Sequence, residues 1–152
     1  MEQQIYEHKV QYYETDQMGI VDHSNYIRWF EEARVDLLSK IGIGYKRMEE
    51  IGVVSPVLEV HAAYKAMTYF EDIVQIKVTI QKYNGIVLEL LYEVNDKKTG
   101  ELRCTGNSRH CFLNQKGQPL SLKKDYPKLD EMLKKEQKKC ASAYQSEMAL
   151  DV

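Results

Sequence analysis

The period of the apolar positions changes along this chain, and each change marks an element. Tyr26, Phe30, Ala33, Leu37 and Ile41 recur at steps of four, three, four and four, which predicts a helix over residues 24–41. Ile27, Val35 and Leu38 widen the apolar stripe, as in a helix buried on much of its circumference. Asp22 and Ser24 are candidate N-caps, and Gly42 is a natural stop. A short second helix is expected over residues 45–51, ending at Gly52.

Before the long helix, residues 5–13 read as a strand with Ile5, Val10, Tyr12 and Tyr13 as its apolar members, interrupted by Glu7, His8 and Lys9. Beyond it the period falls to two. Ser55-Pro56 opens a strand over 57–64. Val74, Ile76, Val78 and Ile80 then alternate with Gln75, Lys77, Thr79 and Gln81, the pattern of a half-buried strand. Asn84-Gly85 signals a hairpin, so residues 86–94 are the return strand. A polar turn at 95–100 leads to a last strand over 102–113. Pro127, at a first helical position, opens a short basic helix within residues 123–139. The order predicts an α+β fold in which one antiparallel sheet curls around one long helix.

The length of 152 residues suits one domain, assigned here to residues 1–140, with 141–152 expected to be a frayed tail. A net charge of −2 asks for neither nucleic acid nor a membrane surface as partner. Cys104, Cys111 and Cys140 fit no zinc spacing, so no metal is expected, and they suit a reducing compartment. The first residues lack the apolar core of a signal peptide, and no run of about 18 apolar residues exists. The chain is therefore read as cytoplasmic.

The chemistry concentrates in residues 16–26, DQMGIVDHSNY. Asp16 stands just before a helix N-terminus, where free N–H groups and the positive dipole end can hold a developing oxyanion. A carboxylate there can act as general base on water or attack a carbonyl itself. Most loop aspartates only cap turns, and that is the plain alternative. Gly19 permits a close backbone approach. The His23 N–H can serve an oxyanion whatever its side chain does. Tyr26 flanks the site and also suits the core. Glu31 and Arg34 form an i, i+3 pair on the helix. His61 and His110 fall in strands and read as structural. The lysines of 123–139 are either a solvated face or a phosphate-binding patch.

This motif resembles the hot-dog fold acyl-CoA thioesterases of the 4-hydroxybenzoyl-CoA thioesterase family, especially the branch found with Tol-Pal cell-envelope genes. The matching positions are Asp16, Gly19, Val21, His23 and Tyr26, followed by Phe30, Glu31, Ala33 and Arg34. The resemblance implies a hot-dog fold and hydrolysis of acyl-CoA to free acid and CoA. It also implies Asp16 as the catalytic carboxylate and the His23 N–H as the group that polarises the thioester carbonyl. Gly19, Val21 and Tyr26 are implied on the substrate side. No cofactor is implied, since CoA is part of the substrate. A homo-oligomer, dimer or tetramer, with sites at subunit interfaces is implied as well. Asp22 stands where the family commonly has an aromatic, which places the substrate in question more than the reaction. An acyl-carrier-protein thioesterase and a non-catalytic hot-dog acyl-binding protein remain the alternatives.

Overall fold

The computed structural model describes residues 5–150, with side chains described through Ser142. Five strands form one antiparallel sheet: β1 (Ile5–Lys9), β2 (Val57–Tyr64), β3 (Ile73–Tyr83), β4 (Val87–Asp96) and β5 (Leu102–Cys111). Their spatial order is β1-β3-β4-β5-β2. The β3-β4-β5 meander is therefore flanked by the two strands that bracket the long helix α1 (Ser24–Lys40) in sequence. Helices α2 (Tyr45–Glu50), α3 (Leu122–Asp125) and α4 (Pro127–Leu150) complete the chain. The architecture is the α+β hot-dog arrangement, a sheet around one helix.

The alternation that predicts β3 is real. Val74, Ile76, Val78 and Ile80 are all buried, and Leu88, Leu90, Tyr92 and Val94 of β4 bury the same face beside them. Onto this surface α1 lays Trp29, Phe30, Ala33 and Leu37, none more than 2% exposed. Full burial of each large side chain contributes roughly 1.5–3 kcal/mol. Phe30 stacks on Tyr92 with ring centres 4.4 Å apart and planes at 11°. That approach requires Gly106 in β5: a Cβ there would lie 2.4 Å from the Phe30 ring and 2.7 Å from the His61 carbonyl oxygen.

Three expectations change. The first strand ends at Lys9, and Tyr12–Glu14 forms a 3₁₀ turn instead. The Glu14 side chain accepts the Gln11 N–H and closes that turn, leaving Tyr12 and Tyr13 77% and 78% exposed. The C-terminal helix, expected to be short, runs 24 residues from Pro127 to Leu150. It is docked on β3, with the Tyr83 hydroxyl donating to Asp130 at 2.6 Å and Leu133 buried. Arg34, expected to pair with Glu31, is buried with its guanidinium over the Tyr45 ring at 5.7 Å.

Candidate active site

Between β1 and α1 the chain makes a small loop pinned at its base. Thr15 pairs with Val21, and the Asp16 N–H donates to the Ile20 carbonyl at 2.9 Å. Gly19 turns the loop at φ +78°, a conformation side-chain-bearing residues avoid. The Asp16 carboxylate accepts the Met18 N–H at 2.8 Å through Oδ1, so it does cap its own turn. It is nonetheless exposed and faces a cavity of about 450 Å³, within the usual range for small-molecule sites.

The cavity brings together most of the motif. Asp16, Val21, Asp22, His23 and Tyr26 line one side. Gly19 is not part of the wall; it shapes the turn that presents Asp16. Val21 is nearly buried, its N–H donating to the Thr68 carbonyl at 2.8 Å. Tyr26 is buried as well and gives its hydroxyl proton to Thr68 Oγ1 at 2.9 Å. Burial raises its pKa above the usual tyrosine value. Val21 and Tyr26 therefore offer the cavity an apolar wall.

His23 immediately precedes α1 with helical φ and ψ. Its imidazole is solvent-exposed, with Nδ1 3.5 Å from an Asp22 oxygen. The neighbouring amides are used: Asp22 N–H goes to the Glu14 carbonyl at 2.9 Å and Ser24 N–H to Asp22 Oδ2 at 3.4 Å. Among the described residues no protein acceptor takes the His23 N–H. Asp22 Oδ2 also accepts the Ser24 hydroxyl at 2.5 Å, so this carboxylate holds the first residue of α1 by both its hydroxyl and its N–H. The hydroxyl bond, above all, holds the Asp22 carboxyl below its ordinary pKa.

The opposite wall comes from the end of β2 and the segment after it: Tyr64, Lys65 and Met67. Nothing near the motif in sequence points to them. Tyr64 donates its hydroxyl to the His23 carbonyl at 3.2 Å and sets its ring edge-on against Tyr26. The segment is anchored by the largely buried Arg103, which donates to the Met67 carbonyl at 2.6 Å and faces Asp72 at 3.2 Å. None of the lysines of α3 and α4 lines this cavity; Lys65 is the lysine that does. No grouping of three or more His, Cys, Asp or Glu among the described residues could hold a metal ion, and no described helix is long and apolar enough to cross a membrane.

Comparison with known proteins agrees with this fold. A family model described as the thioesterase-like superfamily matches residues 10–152. YneP of Bacillus subtilis, whose name assigns acyl-CoA thioesterase activity provisionally, is 35% identical over 120 residues, covering 78% of this chain and 86% of its own. A 1,4-dihydroxy-2-naphthoyl-CoA hydrolase of Prochlorococcus marinus is 30% identical over 113 residues, covering 69% of this chain and 74% of its own. The crystal structure of a DHNA-CoA thioesterase from Staphylococcus aureus superimposes with a TM-score of 0.83 at 33% identity, covering 94% of this chain and 93% of that one. With its fold and a match over nearly the whole length, this chain belongs to the thioesterase-like superfamily.

Proposed function

We propose that this chain hydrolyses acyl-CoA thioesters to a carboxylic acid and CoA at the Asp16 cavity. The observation that carries the reading is that Asp16 and His23, the residue that opens α1, line one cavity, and that among the described residues no protein acceptor takes the His23 N–H. Water between Asp16 and the thioester carbon gives its proton to the carboxylate and its oxygen to the carbonyl carbon. The carbonyl oxygen takes the negative charge, stabilised by the His23 N–H and the positive end of α1. The C–S bond then breaks and the thiolate leaves, taking the proton back from Asp16. A thiolate is a good leaving group, so no strong separate acid is needed. The Met18 N–H engages Oδ1 and fixes the carboxylate, leaving Oδ2 for the water.

The similar hydrolases act on naphthoyl-CoA thioesters by name, and Tyr26 and Tyr64 offer a planar acyl group an aromatic wall. The motif match to the 4-hydroxybenzoyl-CoA thioesterase family supports the same chemistry. An acyl-carrier-protein substrate relies on the basic C-terminal segment, whose lysines do not reach this cavity. A cytoplasmic homo-oligomer is part of the proposal. Among the described residues the β2 edge has no partner strand, and exposed Tyr12, Met18, Met67 and Phe70 lie in and around the segments that border the cavity. Light scattering at the mass of a single, fully active chain would contradict that state.

A panel of aromatic and aliphatic acyl-CoAs, with carrier-bound acyl groups alongside and thiol release as the readout, tests the function. Turnover of CoA esters is expected. Turnover of carrier-bound acyl groups alone would overturn the CoA assignment, and no thiol release from any of them would overturn the enzymatic one.

A further inference from the structure

We propose that Glu14 is a positioning residue for the Asp16 loop, its buried carboxylate setting where Asp16 and the His23 amide meet the substrate. The inference rests on the reading of Asp16 as the catalytic carboxylate. Glu14 is only 4% exposed, an unusual place for a glutamate in a chain this size. Its carboxylate is fully occupied by donors. Oε1 accepts the Gln11 N–H at 2.8 Å and lies 2.7 Å from His8 Nε2, and Oε2 accepts the Trp29 indole N–H at 2.6 Å. Burial by itself raises its pKa, but these three hydrogen bonds outweigh it and hold the carboxyl below the ordinary glutamate range.

The same residue holds the loop. Its backbone carbonyl accepts the Asp22 N–H at 2.9 Å and the Asn25 side-chain amide at 2.9 Å. Asn25 also reaches the Asp22 carbonyl at 3.2 Å. Glu14, the last residue of the 3₁₀ turn, therefore ties both ends of the 15–22 loop to β1 through His8 and to α1 through Trp29 and Asn25, and closes its own turn through Gln11. Asp16 is two residues from this anchor on one side, and His23 follows directly after Asp22 on the other. Catalytic groups must be held within about 0.5 Å of their working positions, and such a buried, doubly used anchor can do so. Glu14 touches neither the cavity nor the substrate; it acts through the loop.

The hydrogen-bond pattern supplies a specific test. In Glu14→Gln the amide oxygen can replace Oε1, but the amide NH₂ then faces the Trp29 N–H, donor against donor. Trp29→Phe removes that donor, so the double variant has no clash. A misplacement on the order of 1 Å costs up to about a hundredfold in rate. Glu14→Gln should therefore lower kcat about ten- to a hundredfold with KM changed less than about threefold. Glu14→Gln/Trp29→Phe should recover kcat to the level of Trp29→Phe alone. A general loss of packing would not be repaired by truncating a second core side chain. Asn25→Ala cuts the second tie without touching the buried carboxylate, and should show the same kcat-weighted loss. It keeps the test open if Glu14→Gln does not fold by circular dichroism.

Wild-type kcat in a folded Glu14→Gln or Asn25→Ala, beside an inactive Asp16→Asn, would overturn the positioning role and leave the proposed function standing. A double variant no better than Glu14→Gln would also overturn it. Full activity in Asp16→Asn would overturn the proposed function, and the positioning role with it.

Discussion

His110 should make this protein's stability depend on pH in a window that a single substitution removes. It sits in β5, 1% exposed, with Nε2 2.7 Å from the Ser108 hydroxyl, which is itself 2.7 Å from the Tyr92 hydroxyl. Burial first, and the Arg34 charge second, push its pKa down to about 4 from 6.5. The folded protein keeps His110 neutral where the unfolded chain protonates it. Between pH 6.5 and 4 the unfolded state therefore binds more protons, and stability falls as pH falls through that window. One pKa unit is about 1.36 kcal/mol. With those two pKa values, lowering the pH from 7 to 4.5 costs about 2 kcal/mol of stability through this residue. Carboxylates held below their usual pKa, such as Glu14 and Asp130, lose stability in the same direction at lower pH. The comparison must therefore be between proteins. Urea unfolding of wild type and His110→Gln across pH 4.5–7.5 isolates the term, because the variant retains every other group. The wild-type curve should fall more steeply, the gap between the two shifting by about 2 kcal/mol. Parallel curves would refute the reasoning, since a neutral buried His110 must produce the difference.

Two substitutions probe other parts of the structure. Gly106→Ala should destabilise by about 1–3 kcal/mol, because its Cβ would meet the Phe30 ring and the His61 carbonyl. The midpoint of thermal unfolding should drop several degrees, at about 2–4 °C per kcal/mol, and an unchanged midpoint would contradict the close packing. His23→Ala keeps the backbone donor, whereas His23→Pro removes it at a residue whose φ of −53° already suits proline. Both should fold, with Pro slower than Ala by about 10²–10³ in kcat, and equal rates would rule out the His23 amide as the oxyanion donor.

What was legible in the sequence follows the reach of local pattern. The 3.6 period of Tyr26, Phe30, Ala33 and Leu37 and the strict alternation from Val74 to Ile80 reflect burial against one surface, so both elements are readable from their own residues. Tyr12 and Tyr13 mislead because β propensity marks aromatics as strand, while a local side-chain bond from Glu14 wins and turns the chain. The length of α4 is hidden because much of its surface is polar, and its docking depends on Tyr83, 47 residues before Asp130. In the site, residues 16–26 are contiguous and carry their own signal. Tyr64, Lys65 and Met67 enter only through the sheet order, which brings the end of β2 to the start of α1. Glu14 is opaque for the same reason: its partners His8 and Trp29 are 6 and 15 residues away and lie on different elements.

In the proposed reaction the Asp16 carboxylate drives thioester hydrolysis in this cavity. Steady-state thiol release by Asp16→Asn, measured beside wild type on an acyl-CoA that wild type turns over, tests it most directly. The substitution keeps shape and an oxygen for the Met18 N–H, so the fold and the turn should survive. A loss on the order of 10²–10⁴ in kcat is expected, with circular dichroism unchanged. Turnover by folded Asp16→Asn at the wild-type rate would contradict it.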